Sequence, residues 1–233
     1  MALSSNALFH FTNSLDVLKL ILNDQAFWPR YCVEYDKGIM EDDFYYAVPM
    51  VCFCDIPLSA IQEHISDYGK YGIGMSKQWA KKNVSPITYY KDEKSLSKSL
   101  YNSISKRLDI CQRMKWFSLL KKYYGETWSV SKHKYRKKVL YNEREWRYIP
   151  RSLKKDEAFK KVKDPSTFDS LTESSCTKYF SLSFSYEDIK YLFVKTEDDR
   201  NELISNLHTT LSGTDLMKLK VSILTIKQIK EDF

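Results

Sequence analysis

Glu143, Glu145 and Arg147 alternate along the segment Tyr141-Asn142-Glu143-Arg144-Glu145-Trp146-Arg147-Tyr148-Ile149-Pro150. A strand through this segment places both carboxylates and the guanidinium on one face, with Trp146 and Tyr148 on the other. Such a stripe either neutralises itself or waits for a ligand. As chemistry, a fixed carboxylate at Glu145 or Glu143 would stabilise positive charge developing on a sugar as a glycosidic bond breaks. Arg147 beside them would position a phosphate or simply pair with the carboxylates.

Two further segments set polar groups among apolar neighbours. Leu8-Phe9-His10-Phe11-Thr12 carries a histidine that either binds a ligand or satisfies a backbone carbonyl in the core. Val48-Pro49-Met50-Val51-Cys52-Phe53-Cys54-Asp55 carries two cysteines on one strand face. Paired CxxC knuckles are absent, so these thiols read as small apolar residues and no metal is expected. His64 is a second-rank site residue, equally suited to the surface. The cluster Phe44, Tyr45 and Tyr46 either stacks on a ring or packs, and packing is the expectation for most of it. Gly69, Gly72 and Gly74 mark either a backbone approach to phosphate or a turn into a strand.

The elements that must position these groups follow from periodicity. Ser14 caps a helix with Leu15, Leu18, Ile21 and Leu22 on one face, ending at Asn23 and Asp24. A long loop is expected from Trp28 to the aromatics at 44–46. Pro57 opens a helix through Leu58, Ile61 and Ile65, and a short strand follows at 71–75. Leu100, Ile104, Leu108 and Cys111 predict a long basic amphipathic helix near 95–124. A lysine-rich segment near 152–175 reads as a mobile insertion. Strands at 179–184 and 191–194, a helix at 198–211 and a strand at 221–226 close the chain. The expectation is one α+β domain over 1–233, with an antiparallel or mixed sheet and peripheral helices.

Composition bounds the function. The chain has 233 residues and 43% hydrophobic content, enough for a substantial core. Neither a bilayer-length apolar run nor a signal core is visible, and five unpaired-looking cysteines suit a reducing compartment, so a cytoplasmic protein with no membrane partner is expected. The net charge of +7 is uneven: residues 106–138 hold eleven Lys and Arg against Asp109 and Glu126, which gives +9 there and −2 elsewhere. That patch is either a solvated face or a surface for nucleic acid or an acidic partner. Walker and dinucleotide glycine motifs are absent, which excludes P-loop nucleotidases and Rossmann dehydrogenases.

The blocks Leu8 to Thr12, Met50-Val51-Cys52-Phe53-Cys54-Asp55-Ile56-Pro57-Leu58-Ser59, Glu63-His64 through Tyr68-Gly69-Lys70-Tyr71-Gly72-Ile73-Gly74, and Glu143 to Arg147 together resemble the AbiGi family of abortive phage-infection proteins. That resemblance implies the antitoxin side of a bacterial phage-defence pair, with a partner toxin or another defence protein. A more distant similarity is to ADP-ribosyltransferases of the DarT-like type. It implies an NAD cofactor held by His10, Thr12 and Arg147, a stacking ring at Tyr68 or Tyr71, and Glu145 as the catalytic carboxylate with Glu143 as its alternate. Cys52 and Cys54 stand where that superfamily has a Ser-Thr-Ser strand. Two hypotheses result: a binding protein that sets the basic helix from Leu96 to Leu120 against an acidic surface or nucleic acid, its association weakened by reversing Lys121, Lys122, Lys137 and Lys138, or an NAD-consuming transferase.

Overall fold

The computed structural model describes residues 5–36, 44–91, 99, 102–103, 108–129, 134–150, 160–163 and 180–232. The first half runs β1 (Ala7–Thr12), α1 (Leu15–Asp24), β2 (Ala26–Phe27), β3 (Arg30–Asp36), β4 (Phe44–Cys54), α2 (Gln62–Tyr68), β5 (Tyr71–Ser76), α3 (Lys77–Asn83), β6 (Ser85–Pro86) and β7 (Thr88–Tyr90). After it come α4 (Ile110–Phe117), β8 (Leu120–Lys122), β9 (Tyr124–Ser129), β10 (Lys134–Val139) and β11 (Glu145–Tyr148). The last part holds β12 (Lys160–Val162), β13 (Leu182–Ser183), β14 (Ile189–Val194), α5 (Glu197–Thr210), α6 (Gly213–Val221), β15 (Ile223–Thr225) and α7 (Ile226–Asp232). This is an α+β fold.

The main sheet orders its strands β15-β14-β5-β1-β4-β11-β6, and β3 and β12 flank the first half of β4. Every pairing in it is antiparallel except β14 with β15. Opposed residues share a face, so the register sorts the side chains. Phe9 opposes Cys54 and Cys54 opposes Glu145, which puts Phe9, Cys52, Cys54, Glu145 and Arg147 on one face. Leu8, His10, Phe53 and Trp146 take the other.

Each face has its own apolar layer. Ser14 caps α1 by accepting from the Asp16 amide, and Leu15, Leu18, Ile21 and Leu22 of that helix are buried. They join Phe27, Phe53, Trp79, Leu192 and residues of α5 and α6 in the larger core. On the reverse face Ala7, Phe9, Cys54 and Phe193 pack with Ile61 and Ile65 beside α2 and with Ile226 and Ile229 of α7. Thr196 and Asp199 form a reciprocal capping box that starts α5 at the predicted place.

Several expectations change. The loop expected from Trp28 is a hairpin of β3 and β4, with Cys32 opposite Val48 and Glu34 opposite Tyr46. Tyr46 is buried and Tyr45 packs beside Val162, so aromatic residues there hold the sheet together. The basic helix does not run to 124: α4 stops at Phe117 and the chain enters β8, which pairs in parallel with β7. Residues 92–98, 100–101 and 104–107 of that expected helix lie outside the described residues. Within the expected insertion, Lys160–Val162 forms a strand against β4, and Val162 is buried. Apart from Lys163, its remainder falls outside the described residues. The strand expected at 221–226 is only Ile223–Thr225, set between two helices.

The glycines serve packing. Gly69 sits at φ 129°, and a Cβ there would lie 2.2 Å from the Thr12 carbonyl oxygen. A Cβ on Gly74 would lie 2.9 Å from the Phe9 ring, so bare backbone on β5 makes room for the aromatic residues of β1. Gly69→Ala should therefore destabilise the fold by at least about 2 kcal/mol, since φ strain adds to a backbone clash. Urea denaturation of the purified variant is the check, and an unchanged midpoint would refute the close approach.

Candidate functional site

The charged stripe becomes a closed ionic cluster. The strand expected through 141–148 begins only at Glu145: Leu140–Glu143 is a 3-10 turn, and Arg144 takes a left-handed conformation at φ 46°. On either side of that left-handed residue, Glu143 and Glu145 still arrive at the same lysine. Lys121 of β8 lies 2.7 Å from Glu143 Oε2 and 2.8 Å from Glu145 Oε2. Arg147 donates from Nε to Glu145 Oε1 at 2.7 Å and from a terminal nitrogen to Oε2 at 3.0 Å. Its other donors reach the Ser118 carbonyl and Glu34 of β3, both at 2.6 Å.

A second half of the cluster hangs from Glu143. Lys138 of β10 bridges Glu143 Oε1 at 2.7 Å and Asp67 Oδ2 at 3.1 Å, and Arg136 reaches the same Asp67 oxygen at 2.6 Å. The Tyr68 hydroxyl donates to Glu143, with the Lys138 ammonium 5.1 Å from its ring centroid. The Tyr89 hydroxyl accepts from the Glu145 amide at 3.0 Å. Glu34, Asp67, Glu143 and Glu145 thus face Lys121, Arg136, Lys138 and Arg147, charge for charge.

Burial and pairing oppose one another here, and pairing wins. Burial pushes the Glu145 carboxyl up, but Arg147 and Lys121 hold it well below the usual carboxylate range. Glu143 follows the same logic, burial raising it and Lys121 and Lys138 pulling it down. For Lys121, burial favours the neutral amine, while Glu143, Glu145 and Glu34 more than reverse that. Tyr68 is pushed far up by burial and by Glu143, so it stays a hydrogen-bond donor. Burial and neighbouring carboxylates also raise Cys54, while contact with Cys32 and burial raise Cys52, so both remain neutral thiols.

The residues singled out from sequence divide between the two sides of the sheet. Glu143, Glu145, Arg147 and Tyr68 meet in the cluster. His10, Thr12 and Tyr71 belong to the opposite face: His10 packs edge-on to Phe27 at 5.2 Å between centroids, and its Nδ1 lies 2.9 Å from the Cys52 carbonyl oxygen. Tyr71 opposes Thr12 in the register and donates to Asp199 of α5 at 3.3 Å. The arrangement therefore does not assemble His10 and Glu145 around one ligand. Lys121 and Lys138, expected on a binding surface, are internal counter-ions with side chains 13% and 10% exposed. Sequence reading missed Asp67, Arg136 and Glu34; the spacing of Arg136 and Lys138, two apart on a strand, was the available signal. Among the described residues no group of three or more His, Cys, Asp or Glu gathers to hold a metal ion.

Residues 25–195 match the family model described as "Putative abortive phage resistance protein AbiGi, antitoxin". The chain belongs to the AbiGi family. It is also 29% identical to the abortive phage resistance protein AbiGi of Lactococcus lactis subsp. cremoris, over 89% of this chain and all of that protein. No solved structure matches this fold. Among the described residues no helix is long and apolar enough to cross a membrane.

Two stability predictions follow from the buried ionisable groups on the two faces. Glu145→Gln leaves Arg147 and Lys121 without their shared carboxylate and should destabilise by about 3–5 kcal/mol; a chemical-denaturation midpoint within error of wild type would contradict the buried pairing. The pH profile is the second. His10 is lowered by burial, against the Cys52 carbonyl contact, so its contribution is complete above about pH 6.5 and is lost below it. The lowered glutamates contribute above about pH 4.3 and lose that contribution only in stronger acid. Thermal melts should therefore show a first decline below about pH 6.5 that His10→Phe removes, and a second, acid decline that it leaves in place.

Proposed function

We propose that this protein is the antitoxin of an abortive-infection pair and that it neutralises a partner toxin by binding it, with no bond-breaking step of its own. The observation that carries this reading is the saturation of Glu145. A carboxylate that stabilises a developing sugar cation must present an oxygen to it. Glu145 Oε1 already faces Arg147, and Oε2 faces both Lys121 and Arg147, with the residue 7% exposed. Any substrate would have to displace the buried Arg147 guanidinium and the largely covered Lys121 ammonium. The cluster instead fixes α2, β8, β10 and β11 relative to one another, which is what a rigid binding surface requires. Family membership supplies the role, and the geometry supports binding as the means.

Stoichiometry separates this from catalysis. The partner toxin, co-expressed with this chain, should co-purify in a complex of fixed ratio, and growth should recover only when the antitoxin at least matches the toxin. Purified protein incubated with NAD should release no nicotinamide. Recovery with the toxin in large excess, or nicotinamide release by the wild type, would overturn the reading.

A further inference from the structure

Between Tyr46 and Cys52, β4 curls inward around the face that carries its thiols. Glu34 opposes Tyr46 and Arg147 opposes Cys52, so their register positions stand six residues apart along β4. Six residues of flat strand span about 20 Å, further than the two side chains reach together. Arg147 nevertheless donates to Glu34 at 2.6 Å, which requires the sheet to bend around this face. The same bend carries Cys32, opposite Val48, toward Cys52, and the two thiols meet in a hydrogen bond.

The pair is set apart from the other thiol of β4. Cys32 and Cys52 are both half-buried and pack against Tyr46, Val48 and Met50. Cys54 lies in a different apolar layer with Phe9 and Ile61. Cys32 donates to the Arg30 carbonyl oxygen at 3.5 Å in a contact open to solvent, so within the pair its sulfur accepts and Cys52 donates. That donation, with burial, pushes the Cys52 thiol up, which keeps its proton in place until a partner sulfur becomes electrophilic. One thiol is thus open to attack on an oxidant from solvent, and the other stands in contact behind it, the arrangement of an attacking and a resolving cysteine.

We propose that Cys32 and Cys52 form a reversible disulfide in response to peroxides and that the bridge fastens β3 to β4. Cys32 loses its proton to water, and its thiolate attacks one oxygen of hydrogen peroxide. The O–O bond breaks, leaving a sulfenic acid on Cys32 and a hydroxide that takes up the released proton. The Cys52 sulfur then attacks the sulfenic sulfur, the S–O bond breaks, and the hydroxyl leaves with the Cys52 proton as water. Two thiols lose two electrons, and one peroxide is reduced to two waters. A reducing dithiol reverses the bridge by exchange, so in a reducing compartment it registers oxidant and does not persist as a staple. Glu34, two residues from Cys32 on the same face of β3, is a partner of Arg147, so the bridge also holds the strand that completes the ionic cluster. This switch goes beyond the toxin contact of the proposed function and stands or falls without it.

The test is treatment of the reduced full chain with a few equivalents of hydrogen peroxide, followed by alkylation, intact mass and peptide mapping. Wild type should lose two hydrogens, protect two of its five cysteines from alkylation and yield a linked Cys32–Cys52 peptide pair, all reversed by dithiothreitol. Its melting temperature should rise by roughly 5–10 °C on oxidation, because closing the loop between the two cysteines restricts the unfolded chain. Cys52→Ser should stop at a sulfenic acid on Cys32 that dimedone captures, and Cys32→Ser should consume peroxide about tenfold more slowly or less. A variant carrying Cys111→Ser and Cys176→Ser should bridge as wild type does. The mapping on wild type decides the matter even if a serine variant fails to fold. A bridge between any other pair, no loss of free thiols, undiminished peroxide consumption by folded Cys32→Ser, or a melting temperature that falls on bridging would each overturn the proposal.

Discussion

The shared grip of Lys121 on Glu143 and Glu145 is the contact on which the rest of this architecture turns. One ammonium from β8 meets a carboxylate from a 3-10 turn and another from β11, at 2.7 and 2.8 Å. Neither glutamate could be buried alone, because the desolvation of an unpaired carboxylate far exceeds what one packed side chain contributes. The lysine therefore decides where β8 sits, β8 draws β7 into register beside it, and Arg147 extends the same logic to β3 through Glu34. Lys138 and Arg136 bring in β10 and the end of α2 through Asp67.

This arrangement also decides what the site does. A stripe of two glutamates and an arginine invites a catalytic reading, because open carboxylates beside a guanidinium can hold a sugar and its phosphate. Internal cations close the stripe instead: the negative charge is compensated, held ionised far below ordinary pH and largely out of reach of solvent. A charge set used this way supplies specificity of assembly more than net stability.

The two apolar layers explain why the sheet tolerates so polar a patch. Phe9 and Phe193 pack tightly on the same face as Glu145, nearer the β14 side, and close that side against water. On the reverse face Trp146 packs into the larger core with Phe53, so β11 is held from behind while its charged side chains are held from the front. β4 carries both tasks: its second half pairs with β1 and β11, and its first half with β3 and β12.

Local patterns in the sequence determined a large part of this protein. The Ser14 cap and the spacing of Leu15, Leu18, Ile21 and Leu22 specify α1, and local apolar patterns specify β1, β5 and the second half of β4, while its first half reads as loop. The same alternation placed Glu145 and Arg147 together, with Trp146 behind them. What periodicity could not carry is the identity of long-range partners. Lys121 and Lys138 look like surface lysines in a basic run, and only the docking of β8 and β10 over the glutamates turns them inward. His10 and Glu145 look like members of one site through the similarity to ADP-ribosyltransferases, and only the register of β1, β4 and β11 sends them to opposite faces. A strand's faces are fixed by its own period of two, but which face looks at which depends on pairing between segments far apart in the chain, and that is settled by tertiary structure.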